Sequence, residues 1–253
     1  RTYVLSNYEG LDPDRRRAFI LICPGGGYHF CSEREAEAIA IRFNSLSYNC
    51  AVLYYTCNPL EEGHREDGIY PEPQEELARA VSWVRSNAEE LNTDPGKIAV
   101  LGFSAGGHLA ASLGVFWPEY GLMSRPNALV LCYSVITSGE LAHRGSIDNL
   151  IGNRTQLLEK VSLEKQVTPE TPPAFLWATR TDPSVPYQNS TMFADALNRC
   201  GVRNEVHLYD SGSHGLSLGT REVMKPDKPF KPTATDWPEK ADAFLQSVMG
   251  PVF

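Results

Sequence analysis

The sequence predicts an α/β fold with a mostly parallel central sheet and helices on both of its faces. Three observations predict it: short, continuously apolar runs, longer segments with apolar residues at helical spacing, and the regular alternation of the two. Strands that are apolar throughout are typical of parallel sheets covered on both sides. A chain of 253 residues is long enough for one substantial core, so we expect a single domain over residues 1–253.

The elements follow one another in a simple order. Apolar runs predict strands at 18–23, 50–55, 97–103, 128–135, 173–179 and 205–210. Helical spacing predicts helices at 33–46, 75–91, from 105 onwards, at 190–201 and at 241–249. A polar, proline-rich loop is expected over 56–75. In such sheets the reactive groups gather just beyond the carboxyl ends of the strands, so candidate residues are sought there.

The composition disfavours some classes of binding partner and favours one cellular compartment. The net charge of −8 disfavours nucleic acid and anionic membranes, and no apolar run approaches the roughly 18 residues that span a bilayer. The six cysteines show no metal-type spacing and are expected to be mostly buried and free, which favours the cytoplasm. The chain begins without a Met, so a removed targeting segment, and hence secretion, stays open.

One stretch, LGFSAGGHLA over 101–110, places Ser104 between Gly102 and Gly106, where a predicted strand meets a predicted helix. A sharp turn from strand to helix strains the turn residue and requires small neighbours two positions away. The pattern G-x-S-x-G in this context predicts a nucleophile elbow. The alternative is a serine that caps a helix after a glycine turn.

A serine nucleophile needs a base and a carboxylate that orients the base. His214 follows the strand at 205–210 in a glycine-bearing loop and is the predicted base. Asp182 follows the strand at 173–179 and is the predicted acid. Asp210 more plausibly shapes its own turn, and no strand leads into Asp148. Four other histidines fit the role of base less well: His64, His108, His143 and His207.

The stretch CPGGGY over 23–28 follows the first apolar run, and its glycines permit close approach of the backbone to a ligand. Its place after an early strand predicts an oxyanion hole, with donors from the amides of Gly26, Gly27 and Ala105. The competing interpretation is a phosphate-binding loop. No Lys-Ser/Thr pair follows, and the next helix begins with glutamates, which disfavours phosphate.

These stretches resemble the small α/β-hydrolase esterases related to the hormone-sensitive-lipase group, often labelled acetyl xylan esterase or sugar-ester hydrolase. The resemblance covers almost the whole chain, through CPGGGY, YPEPQEELARAVSWVRSNAEELNTDPGKIAVLGFSAGGHLAASLG, YSVIT with HRGSIDNLIG, TPPAFLWATRTDPSVPYQNS and GVRNEVHLYDSGSHGLSLG. It implies Ser104 as nucleophile, Asp182 as acid and His214 as base, in the chain order of α/β-hydrolases. Thr181 departs from the pattern, because an acidic residue is expected there.

The resemblance implies a serine esterase that hydrolyses short-chain, chiefly acetyl, esters of sugars or xylo-oligosaccharides through an acyl-enzyme. The chain is too short for a large lid domain that would shelter long acyl chains, and we expect no metal or organic cofactor. Tyr28, His29 and His143 are the candidate substrate-binding residues. Tyr70 and Trp177 are further aromatics that could stack on a sugar, although each alone is more typical of a core.

Two other functions stay open at this point. The same scaffold serves amide hydrolysis of the arylformamidase type, and it also serves as a non-catalytic ligand-binding homologue when a triad member is lost. No paired-carboxylate site for cleavage of a glycan backbone is found. The sequence does not decide the oligomeric state, and a homodimer is kept as a candidate assembly.

Overall fold

The structure is a computed structural model that describes residues 1–224, 226 and 232–253. Within these residues seven strands form one sheet: β1 (Thr2–Tyr3), β2 (Arg17–Cys23), β3 (Asn49–Val52), β4 (Thr93–Phe103), β5 (Ala128–Cys132), β6 (Ala174–Thr179) and β7 (Asn204–Tyr209). Their order is β1-β3-β2-β4-β5-β6-β7. β1 runs antiparallel to β3, and the other neighbouring pairs are parallel.

The α-helices of the described residues are α1 (Glu37–Asn44), α2 (Glu72–Ser86), α3 (Ala105–Tyr120), α4 (Arg144–Ile151), α5 (Gln188–Arg199) and α6 (Trp237–Met249). None of them is long and apolar enough to cross a membrane. Successive residues of β2 alternate between two apolar layers, which confirms the expectation of a sheet buried on both faces. Helices α2 to α5 contribute to one layer, and α1 and α6 contribute to the other.

Several predicted boundaries were wrong for local reasons. The helix predicted at 33–46 begins as a 3-10 turn, Glu33–Glu35, and Ala36 leaves helical geometry before α1 starts. The strand predicted at 128–135 ends at Cys132, because Tyr133 turns with a φ of 37°. The strand predicted at 50–55 ends at Val52, and the helix predicted at 75–91 spans Glu72–Ser86. β1 and α4 were not predicted as elements.

The carboxyl ends of the central strands lie at one edge of the sheet, as parallel pairing requires. Cys23, Phe103 and Cys132 end three neighbouring strands in register, since Cys23 pairs with Gly102 and Phe103 with Cys132. The loops after these strands, and after β6 and β7, therefore converge at this edge. Cys23 and Cys132 are fully buried, as expected for thiols that act as small hydrophobes.

Candidate active site

Ser104 stands at the turn between β4 and α3 with a φ of 52° and a ψ of −118°, a conformation that few non-glycine residues adopt. Its two flanking glycines are required by space. A Cβ at Gly102 would lie 2.1 Å from the carbonyl oxygen of Gly106, and a Cβ at Gly106 would lie 2.2 Å from that of Cys23. The turn therefore has the strained geometry of a nucleophile elbow, not that of a serine cap.

Ser104, His214 and Asp182 form a continuous hydrogen-bonded chain across three loops. His214 Nε2 lies 2.8 Å from Ser104 Oγ, and His214 Nδ1 lies 2.7 Å from Asp182 Oδ2. The Asp182 side chain is 1% exposed, whereas that of His214 is 22% exposed. The carboxylate is thus sealed beneath the imidazole, while the imidazole edge remains open to a substrate.

The Asp182 carboxylate is held by more than the histidine. Its Oδ1 accepts hydrogen bonds from the amides of Ser184, at 2.8 Å, and Val185, at 3.0 Å. Burial by itself would raise the pKa of Asp182, but the hydrogen bond and charge of His214, together with these two amides, bring the pKa below its usual value. The carboxylate therefore stays ionised and keeps Nδ1 of His214 protonated.

The oxyanion loop, defined here as residues 24–30, is anchored through its carbonyl groups. Gly25 O accepts from the amide of Ser32 at 2.9 Å, and Gly26 O accepts from the amides of His29 and Phe30. In a planar trans peptide the carbonyl and the next N–H point in opposite directions, so these bonds orient the N–H groups of Gly26 and Gly27.

The third candidate donor is oriented in the same way. Ser104 O accepts from the amides of His108 and Val135, each at 3.1 Å, which orients the N–H of Ala105 at the first position of α3. Within the described part of the chain, the amides of Gly26, Gly27 and Ala105 donate to no other protein group. Three free donors at one edge of the sheet are the arrangement that a developing oxyanion requires.

A cavity of about 580 Å³ opens above Ser104. His29 and His143, two of the candidate substrate-binding residues, line it. The third, Tyr28, does not: its side chain is fully buried, and its hydroxyl lies 2.9 Å from His108 Nδ1. The prediction that Tyr28 contacts substrate was wrong, because its φ of 58° turns the ring into the core beneath the oxyanion loop. Trp177 is likewise a core residue.

The competing residues have other surroundings. His108 is fully buried, and burial lowers its pKa to about 4. It is therefore a core residue, as expected. His207 lies in β7 and pairs with Glu205 at 2.5 Å. Asp210 is exposed and lies 4.0 Å from Arg180. Asp148, in contrast, belongs to α4 and lines the cavity.

Several residues of this site were not predicted from the sequence. Phe30 and Leu60 line the cavity as exposed apolar side chains. Glu35 also lies at the cavity wall although it is almost fully buried, and the hydroxyl of Tyr133 donates to its carboxylate. Phe30 and Glu35 follow CPGGGY closely, which was the only signal that could have pointed to them. Among the described residues, no group of three or more His, Cys, Asp or Glu side chains is placed to hold a metal ion.

Comparisons with known proteins show which family this chain resembles. Residues 13–122 match the family model BD-FAE. The chain is 38% identical over 221 residues to endo-1,4-beta-xylanase B of Butyrivibrio fibrisolvens, covering 83% of this chain and 34% of that protein. It is 29% identical over 205 residues to an acetylxylan esterase of Xylanibacter ruminicola, covering 78% of this chain and 40% of that protein. The chain therefore spans well under half the length of these two relatives.

Solved structures match over nearly the whole chain. The acetyl ester-xyloside bifunctional hydrolase of Caldicellulosiruptor lactoaceticus is 33% identical to this chain and superposes with a TM-score of 0.83. The match covers 98% of this chain and 87% of that protein's chain. A carboxylesterase of Lactobacillus plantarum is 28% identical, covers 97% and 91%, and has a TM-score of 0.85. The fold is thus that of an α/β-hydrolase. More narrowly, the chain belongs to the α/β-hydrolase esterase family that includes the acetylxylan esterases.

Proposed function

We propose that this chain is a serine esterase that hydrolyses short-chain acyl esters, chiefly acetyl esters of sugars or xylo-oligosaccharides. One observation carries the proposal: Ser104 Oγ, His214 and Asp182 are joined by contacts of 2.8 Å and 2.7 Å at a strained elbow. The family relatives named as acetylxylan esterase and acetyl ester-xyloside hydrolase support the class of substrate.

Acylation follows from the geometry. His214 Nε2 takes the proton of Ser104 while Oγ attacks the ester carbonyl carbon, and the carbonyl oxygen becomes an oxyanion held by the N–H groups of Gly26, Gly27 and Ala105. Asp182 stabilises the imidazolium that forms. The proton then passes from His214 to the alcohol oxygen as the C–O bond breaks, which leaves the acyl group on Ser104.

Deacylation repeats the sequence with water. His214 takes a proton from water as the water oxygen attacks the acyl carbon, and the second oxyanion uses the same three amides. The proton returns to Ser104 Oγ as the acid leaves. Each step is balanced by the transfer of one proton through His214, so no cofactor is required.

Recognition of a polyhydroxylated alcohol is supported by α4. This helix presents Gly145, Asp148 and Asn149 to the cavity, and its N-cap residue His143 lies beside them; these four residues are called here the α4 wall. Asn149 Nδ2 donates to Gly27 O at 2.9 Å, so the wall is attached directly to the oxyanion loop. The Asp148 carboxylate is exposed and has no ion pair among the described residues. Free carboxylates of this kind accept hydrogen bonds from hydroxyl groups.

His143 adds a donor to the same wall. Its Nδ1 accepts from the amide of Ser146 at 3.3 Å, which places the ring proton on Nε2. Burial and then the charge of His214 lower the pKa of His143, so the ring is neutral near pH 7. A neutral N–H donor beside a carboxylate acceptor suits the paired donor and acceptor character of a sugar hydroxyl.

The test compares three substrates with one variant. Acetate release is measured from an acetylated xylo-oligosaccharide and from p-nitrophenyl acetate, and N-formylkynurenine is assayed beside them. We expect turnover of both acetates, little of the formamide, and a loss of about 10⁴-fold or more in kcat for Ser104→Ala.

Residual activity of Ser104→Ala within tenfold of the native chain would refute the nucleophile. Preferential cleavage of N-formylkynurenine would replace the esterase with an amidase of the same mechanism. Gly10→Ala is the matched control for handling and stability, because a Cβ at Gly10 would meet nothing within 4 Å.

A further inference from the structure

A buried carboxylate, Glu35, lies against the oxyanion loop at the wall of the cavity and takes no part in the mechanism above. It ends the 3-10 turn before α1, and it is only 2% exposed. Its Oε2 accepts from the amide of Gly25 at 2.9 Å, and its Oε1 accepts from the hydroxyl of Tyr133 at 2.6 Å. A carboxylate is costly to bury, and two charge-assisted hydrogen bonds offset that cost.

The bond to Gly25 fixes the entry to the oxyanion loop. The peptide between Pro24 and Gly25 is held on both sides, because Pro24 O accepts from the Tyr55 hydroxyl at 2.6 Å while Glu35 holds the N–H. A Cβ at Gly25 would lie 2.6 Å from Glu35 Oε2 and 3.1 Å from Ser104 Cβ. Gly25 therefore separates the carboxylate from the nucleophile by a single layer of backbone.

The bond to Tyr133 reaches the histidine loop. The Tyr133 hydroxyl also accepts from the amide of Ser217 at 2.9 Å, three residues after His214. Its ring packs edge-to-face against the His214 ring, with centroids 5.1 Å apart. Burial and then the Glu35 charge raise the pKa of Tyr133, so the hydroxyl stays protonated and donates to Glu35.

We propose that Glu35 is a positioning residue that fixes the oxyanion donors and His214 relative to each other. It acts through Gly25 on one side and through Tyr133 on the other. The inference rests on the proposed function for its catalytic meaning. The two parts of the machinery come from loops almost 190 residues apart, since Gly25 and His214 flank most of the chain. Glu35 joins both of them through one side chain.

The test uses Glu35→Gln, which keeps the shape but leaves one of the two donors facing an N–H group. We expect kcat for p-nitrophenyl acetate to fall roughly 10- to 100-fold, less than the full loss of an oxyanion donor, with KM changed less than threefold. Tyr133→Phe keeps the ring against His214 and should cost less. Because the two residues act as a unit, the double variant should lose little more than Glu35→Gln.

Glu76→Gln is the matched control. Glu76 also accepts one amide and one hydroxyl, both from Thr56, at 2.7 Å and 2.6 Å, but it lies outside the cavity. We expect its kcat within twofold of the native value. All rates are expressed per active site, titrated with a fluorophosphonate, and melting temperatures are recorded for every variant.

Equal losses in Glu35→Gln and Glu76→Gln, or a Glu35→Gln kcat within twofold of the native value, would overturn the proposal. If Glu35→Gln does not fold, Tyr133→Phe carries the same test. The proton resonance of His214 Nδ1–H is followed in parallel and should shift in Glu35→Gln but not in Glu76→Gln. Should the native chain turn over no ester, this resonance still tests the coupling, and only the proposed function fails.

Discussion

The two sides of the cavity differ in burial and in how many of their polar side chains have hydrogen-bond partners. Below Ser104, the carbonyl groups of Pro24, Gly25 and Gly26 in the oxyanion loop all accept hydrogen bonds from protein groups, which leaves the amides of Gly26 and Gly27 oriented and free. The side chains of Glu35 and Tyr28 behind them are buried and hydrogen-bonded. Across the cavity, Asp148 and Leu60 are exposed, and the Asp148 carboxylate has no hydrogen bond or ion pair among the described residues.

This difference in hydrogen bonding separates the side that stabilises the transition state from the side that recognises the substrate. Stabilisation of a transition state needs dipoles that are already oriented. Here hydrogen bonds to the carbonyl end of each peptide group orient its free N–H. Recognition of a substrate needs groups that exchange water for ligand, and such groups must be left without protein partners. We therefore expect changes below Ser104 to affect every ester, and changes at Asp148 of the α4 wall, which has no bond to the oxyanion loop, to affect sugar esters only.

Among changes to the residues that surround Ser104, Asp182→Asn is expected to have the greatest effect. The amide cannot hold Nδ1 of His214 protonated in the same way, and loss of the triad carboxylate costs about 10⁴ in kcat in well-studied serine hydrolases. The measurement is kcat for p-nitrophenyl acetate. Asp210→Asn serves as the control, because Asp210 is exposed and paired loosely with Arg180. A comparable loss in both variants would show that Asp182 has no special role.

A smaller loss is expected for Gly26→Ala. Gly26 has a φ of +124°, and a Cβ there would lie 1.9 Å from the carbonyl oxygen of Phe30, so the oxyanion loop must move. Loss of one donor costs about 10²- to 10³-fold in kcat. Both p-nitrophenyl acetate and the acetylated xylo-oligosaccharide should lose equally. A loss limited to the sugar ester would place this loop on the recognition side instead.

The buried His108 beneath the oxyanion loop predicts a pH dependence of stability. Its folded pKa of about 4 lies below the ordinary value of 6.5, so as the pH falls the unfolded chain takes up the proton first. The free energy of unfolding should therefore fall by about 3 kcal/mol between pH 6.5 and pH 4 on this account, with no further loss below pH 4.

Urea unfolding of the native chain and of His108→Gln across this range isolates the contribution of His108 from that of the carboxylates. The native curve should be steeper between pH 6.5 and pH 4. Parallel curves would mean that His108 gains a proton in the folded state, and the region below Ser104 would then be less sealed from water than its burial indicates.

The smallest effect is expected for Asp148→Asn. Replacing a charged acceptor by an amide weakens hydrogen bonds to sugar hydroxyls, for which we expect kcat/KM on the acetylated xylo-oligosaccharide to fall about tenfold. The value for p-nitrophenyl acetate, which has no sugar hydroxyls, should stay within twofold. Equal losses on both substrates would contradict the assignment of the α4 wall to recognition.

The parallel sheet and the positions of the candidate catalytic residues could be predicted from the sequence. Apolar runs identified the interior strands because a strand covered on both faces has no polar side. The sharp turn at Ser104 could be predicted because only small neighbours fit around so tight a turn. Asp182 and His214 were readable because parallel strands end at a common edge, which turns a position after a strand into a position in space.

The residues that support and surround Ser104, Asp182 and His214 could be identified only from the folded chain. Glu35 looks like one polar residue of an amphipathic helix, and Tyr133 like the continuation of a strand. A break at Ala36 and a turn at Tyr133 direct both side chains into the interior. Tyr28 was expected to face substrate and points into the core, whereas Asp148 had no strand before it and faces the cavity. Such orientations depend on contacts between segments distant in the chain, and local spacing carries no record of those contacts.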